Sequence, residues 1–207
     1  MKYAFSFILS IFLMSLMSAQ AQIPNSKAIH KEMHSRLLAN ANNGIDKRVI
    51  QDYIKGELEV KESPNSIYGD LSSESIAMIV DLLDEAHSHT GKRYRSGAKG
   101  PNNFDCSGFT SYVYKQFGYS ISPSSGSQFY EGMEVAKGDL RPGDLVFFKG
   151  RNSKGAVGHV GIVVNADNEK HTFTFIHSAT SSGIRVDSST APYYQKRYVG
   201  AKRIITE

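Results

Sequence analysis

The sequence holds one cysteine, Cys106, in 207 residues. A lone thiol cannot close an internal bridge, which excludes a disulfide framework. Excess charge is also scarce. The 24 Lys and Arg stand against 20 Asp and Glu, a formal net charge of +4, and removing Lys2 with a cleaved leader leaves 4 − 1 = +3. That mild excess suits an acidic partner but is far too small to argue for nucleic acid. The densest basic cluster, "GKRYRSGAKG", fails as a phosphate loop. Ala86 stands where its first glycine belongs, and Arg93 where Ser or Thr belongs. Metal ligands are likewise too few: His30 and His34 share helical spacing in "IHKEMH", but a further ligand and the metalloprotease order of glutamate are missing. They read as a solvated helix face, and no metal, nucleotide or other cofactor is expected.

The uncharged apolar run "YAFSFILSIFLMSLM" follows Lys2 and is too short for a comfortable bilayer span. Small residues at Ala19 and Ala21 then match a signal-peptidase site, so residues 1–21 read as a secretory signal cleaved near Ala21. The rival reading is an uncleaved N-terminal anchor. Gln22, not a cysteine, stands directly after the cleavage site, so lipid attachment there is not expected. The expectation is an exported protein, periplasmic or secreted, without stable membrane insertion. Residues 22–70 show two patches of helical period broken by "ANANNG", ending in the linker "KESPNSIYGD". Residues 71–207 are left for the main domain.

Cys106 has two bland readings, a buried small hydrophobe or an intermolecular bridge, and a sharp one, a reactive thiol. In "DCSGFTSYVYKQFG", Cys106, Phe109, Val113 and Phe117 follow one another at three, four and four, a single helical face. Asp105 is a good N-cap type and Gly118 a good stop. Cys106 then sits in a first helical turn, where free N–H groups and the helix dipole favour a thiolate. Asp105 opposes this, so a basic partner is needed.

Histidine supplies it. His87 and His89 fall in the last turn of a predicted helix, and His171 lies in a polar hairpin tip. His159 opens the β-rich run "GHVGIVVN", and His177 ends "TFTFIHSAT". An antiparallel hairpin brings the start of the first strand beside the end of the second. The two imidazoles then lie side by side, one to take the thiol proton and one to orient it.

The blocks "FDCSGF", "RPGDLVFF", "GHVGIVV", "FIHSATSSGIRV" and "YYQKRYVGAKRI" resemble, in order, the NlpC-type cell-wall endopeptidases, papain-like bacterial cysteine peptidases. The resemblance runs from about Leu71 onward. It implies Cys106 as nucleophile, His159 as general base and His177 as the polar residue that orients it. It also implies that Tyr94 lines the site and that Asp105 and Ser107 help hold the free amino end of the substrate. That substrate is a peptidoglycan stem peptide or muropeptide, most often cut between D-glutamate and the diamino acid. Three features depart from the family pattern: extra residues around "SGAKG", "PSS" at 123–125 where a proline-arginine pair is common, and a long hairpin tip that makes His171 a rival for the orienting role.

The fold class expected is α+β and papain-like. One helix in "SSESIAMIVDLLDEAHSHTG", with a stripe of Ile76, Ile79, Val80 and Leu83 and a stop at Gly91, precedes the nucleophile helix. Both pack on an antiparallel sheet drawn from "DLVFFK", "HVGIVV", "TFTFIHS", "GIRVDS" and "YVGAKRI". Two other classes remain: a non-catalytic wall-binding relative, and a lipid acyl hydrolase or acyltransferase on a related fold.

Overall fold

Helix α1 (Ser73–Ser88) forms where its apolar residues recur at helical spacing, and Ile79, Val80, Leu82, Leu83 and Ala86 are buried along one side. Ser72 caps it, its hydroxyl accepting the Ser75 N–H at 3.2 Å, an arrangement that typically contributes about 1 kcal/mol. The helix ends at His89, two residues before the expected stop at Gly91. His89 turns inward there, Nε2 to Glu85 and Nδ1 to Lys92 Nζ, its ring among Phe104, Phe109 and Tyr112. These observations come from a computed structural model that describes residues 67–68, 71–150 and 155–206. The expected signal, residues 1–21, lies outside the described residues, as does all of the 22–70 segment except Ile67 and Tyr68.

Helix α2 (Cys106–Gln116) carries Cys106, Phe109 and Val113 on its inner face as expected. Phe117, predicted to be the fourth member, is the half-buried C-cap, and Tyr114 goes inward instead, its hydroxyl donating to the Gly143 carbonyl. Gly118 follows the cap at φ +85°, the left-handed conformation in which glycine is at ease.

Six strands are found among the described residues: β1 (Met133–Val135), β2 (Leu145–Lys149), β3 (Val157–Asp167), β4 (Thr172–Ala179), β5 (Gly183–Ser188) and β6 (Tyr198–Arg203). They form one antiparallel sheet in the order β1-β6-β2-β3-β4-β5. Five were expected from β-rich runs. The three-residue β1 was not, nor were the one-turn helices α3 (Ser125–Gln128) and α4 (Pro192–Gln195), all too short to show a period.

The sheet is buried on both faces. One carries Leu145, Phe147, Val160, Ile162 and Ile176, all fully buried, with Phe129 of the α3 end packed on Phe147 at 5.2 Å between centroids. The other carries Val146, Phe148, Val163, Phe173 and Phe175, with Tyr194 and Tyr198 packed against them. A continuous apolar run such as "LVFFK" fits a strand covered on both sides.

Phe109 joins the layers, fully buried and edge-on to Phe104 at 5.6 Å. Phe109→Ala is expected to cost about 3–5 kcal/mol, read as a lowered denaturant midpoint with an unchanged slope.

Candidate active site

Helix α2 is held at its first turn by Asp105. One carboxylate oxygen accepts the Gly108 N–H at 2.6 Å, and the other accepts the Gly97 N–H at 2.9 Å. The Asp105 N–H in turn donates to the Ala98 carbonyl at 2.8 Å. Ser178 on β4 donates from its hydroxyl to the Phe104 carbonyl at 2.9 Å, which ties this junction to the sheet. Ser107, buried, donates to the Pro123 carbonyl at 2.9 Å. The Asp105 and Ser107 hydrogen bonds described here are thus internal. Tyr94 is half-buried beside Phe104, near enough to Cys106 and Asp105 that their charges, after burial, raise its pKa.

His159 and His177 meet as the hairpin predicts, Nε2 of His159 lying 2.8 Å from Nδ1 of His177 with the rings nearly perpendicular. By strand alternation they share a face with Phe148 and Phe175. Gly161 lies between them. A Cβ there would sit 2.7 Å from the Phe175 ring, 2.9 Å from the Ile176 carbonyl oxygen and 3.0 Å from the His177 Cβ. A side chain at that position would displace the His177 ring.

Cys106 reaches β3 one residue beyond His159. Val163 donates its N–H to the Asp144 carbonyl on the β2 side, so alternation turns the Val160 N–H toward β4. The paired residues of β3 and β4 start only at Ile162 and Ile176. The Val160 N–H instead acts on the Cys106 sulfur, as do the N–H groups of Ser107 and Cys106 itself, each favouring the thiolate. Among the described residues no hydrogen bond joins the sulfur to an imidazole.

Residues 91–203 match the family model described as NlpC/P60, and that span is more than half of the chain. The chain belongs to the NlpC/P60 family. Among its relatives, the probable endopeptidase p60 of Listeria grayi is 34% identical over 139 residues, 67% of this chain but 25% of that protein. The murein DD-endopeptidase MepS/murein LD-carboxypeptidase of Escherichia coli K12 is 35% identical over 127 residues, 60% of this chain and 62% of that protein. A crystal structure of an NlpC/P60 protein from Bacillus cereus superposes with a TM-score of 0.55 at 32% identity, over 62% of this chain and 40% of that one. The chain thus spans a quarter to under two thirds of these relatives' lengths. The papain-like α+β fold expected from the sequence is the one found.

In this NlpC/P60 domain the electrostatics differ from the expectation of a lowered thiol pKa. Burial, then the Asp105 charge, pushes the Cys106 thiol up, and the three N–H groups only partly offset this. The half-buried His159 is held down to about 3, by desolvation first and then by His177, against a smaller opposing pull from Asp187. Both shifts favour the neutral forms of the Cys106 thiol and the His159 imidazole.

Sequence reasoning missed two residues of the NlpC/P60 site. Asp187 Oδ2 lies 2.9 Å from His177 Nε2, and the Tyr194 hydroxyl donates to the same oxygen at 3.0 Å. Asp187 alternates within β5 and Tyr194 lies in "PYYQ", and neither pattern signals a site. His171, by contrast, stands at the far end of the β3–β4 hairpin at φ 53°, its ring against Gly138. It has no part in orienting His159.

Two outcomes are expected. With the thiol pKa raised, less thiolate exists at any given neutral pH, so iodoacetamide alkylation of Cys106 accelerates steadily from pH 7 toward 10. A rate plateau between pH 5 and 7 would contradict these neutral forms. Gly161→Ala costs about 1–3 kcal/mol through overpacking and separates the imidazoles. Urea unfolding reads the first effect, and ring ¹⁵N shifts of both histidines read the second.

Proposed function

We propose that this chain is an exported peptidoglycan hydrolase, a cysteine endopeptidase that cleaves an amide bond in the stem peptide with Cys106 as nucleophile, His159 as general base and His177 as its orienting partner. The observation that carries the reading is the 2.8 Å contact between His159 and His177, set beside a helix N-terminus whose first residue is the only cysteine. Family membership supports it, as do the endopeptidase names of the relatives, one of them acting on murein.

In this reading the thiol proton passes to His159 as the sulfur attacks the amide carbonyl. N–H groups at the start of α2 face the developing oxyanion. The imidazolium gives its proton to the leaving amine, and water hydrolyses the thioester. Because the thiol rests protonated, attack and proton transfer are coupled. Tyr94 lines the cleft, and Asp105 and Ser107 help hold the free amino end of the stem peptide. The bond assigned is the one between D-glutamate and the diamino acid. The mature protein acts outside the cytoplasm, and its substrate is peptidoglycan or released muropeptides.

A defined muropeptide set, analysed by mass spectrometry of the products, tests the reading. Wild-type protein is expected to release fragments broken at the D-glutamyl bond, while Cys106→Ala folds normally and its turnover falls at least about 10³-fold, the scale of a lost nucleophile. Undiminished cleavage by the variant would remove Cys106 from the mechanism. Muropeptide binding without cleavage by the wild type would make the chain a wall-binding protein, and hydrolysis of phospholipid instead would make it a lipid hydrolase.

A further inference from the structure

The carboxylate of Asp187 ends a hydrogen-bonded chain whose direction follows from elementary chemistry. An ionised carboxylate only accepts. His177 Nε2 and the Tyr194 hydroxyl both contact Asp187 Oδ2, so both donate to it. His177 therefore carries a proton on Nε2, and in the neutral ring its Nδ1 is a lone pair. At 2.8 Å that lone pair accepts from His159 Nε2. His159 then holds its own proton on Nε2, and its Nδ1 is left as a free acceptor. One carboxylate settles the tautomer of two rings.

The surroundings keep Asp187 ionised. Arg185, on the same strand, pairs with Oδ1. Burial raises the Asp187 pKa, but the hydrogen bonds from His177 and Tyr194 and the charge of Arg185 oppose it, and the net direction is down. The polar groups facing this carboxylate are thus His177 from β4, Arg185 from β5 and Tyr194 from α4, with His159 of β3 one ring further. Tyr194 also packs edge-on to His177 at 5.4 Å and lies parallel to His159 at 6.4 Å between centroids.

We infer that Asp187 is a positioning residue for the Cys106 chemistry: acting through His177, it fixes His159 with a bare Nδ1 ready for the thiol proton, and it supplies the counter-charge when His159 becomes an imidazolium. The inference rests on the peptidase reading above. The balance is simple. The proton leaves Cys106 for His159 Nδ1 as the sulfur–carbon bond forms, the same proton later departs with the amine, and Asp187 neither gains nor loses one.

The test uses full-length protein with ¹⁵N-labelled histidine, together with steady-state kinetics on a defined muropeptide. In the wild type at pH 7, both His159 and His177 are expected to be Nε2–H tautomers. In Asp187→Ala, His177 becomes a mixture of tautomers and kcat falls by about 10²-fold, within the usual scale of general-base contributions, with KM unchanged within about twofold. Asp187→Asn retains an acceptor oxygen of the same shape and is expected to restore part of both the tautomer signal and kcat. It also serves if the alanine variant fails to fold. His177 protonated at Nδ1 in the wild type would overturn the inference, and so would Asp187→Ala leaving tautomers and kcat unchanged, or raising KM alone. If the wild type cleaves no muropeptide, the peptidase reading fails, while the tautomer spectra still decide what Asp187 does.

Discussion

The hydrogen bond between His159 and His177 is the contact to which the rest of the site is fitted. It requires an antiparallel hairpin whose register sets the two rings at the open end of β3 and β4. It also requires that nothing larger than hydrogen occupy position 161, since any Cβ there enters the space of Phe175 and His177. Where the strand pairing stops, an amide is left over at Val160, and the cysteine sulfur meets it. A single local feature, the parting of two strands, therefore leaves both the imidazole pair and the Val160 amide beside the start of α2.

Burial and the helix end act on the sulfur in opposite directions, and burial wins. The same low-dielectric setting depresses His159. A site built this way favours the uncharged form of both groups at rest. It also resists wasteful chemistry, since a protonated, mostly covered thiol is a poor target for oxidants.

Much of this was legible in the sequence because it depends on local periodicity. The helical stripe through Cys106, the cap at Asp105, the stop at Gly118 and the hairpin that joins His159 to His177 each leave a pattern within a dozen residues. The inward turn of Tyr114 in place of Phe117 did not, because it answers to a carbonyl at Gly143, twenty-nine positions away. The second covered face of the sheet was hidden for the same reason: Tyr194 belongs to a single helical turn, and its role depends on β3, β4 and β5 together. Asp187 looks like an ordinary polar residue of an edge strand until the strand is placed beside His177.

Strand order carries a consequence for how such a chain comes into being. β6 is formed by residues 198–203, yet it lies in the interior of the sheet, pairing with β2 on one flank and supplying β1 with the only neighbour the sheet order gives it. Its Arg203 is buried against Asp144 in the turn leading into β2. A polypeptide emerging N-terminus first can pair β2 through β5 in turn, but β1 has no neighbour until this later segment is free. Residues 133–135 therefore have no place in the sheet until residues 198–203 join it.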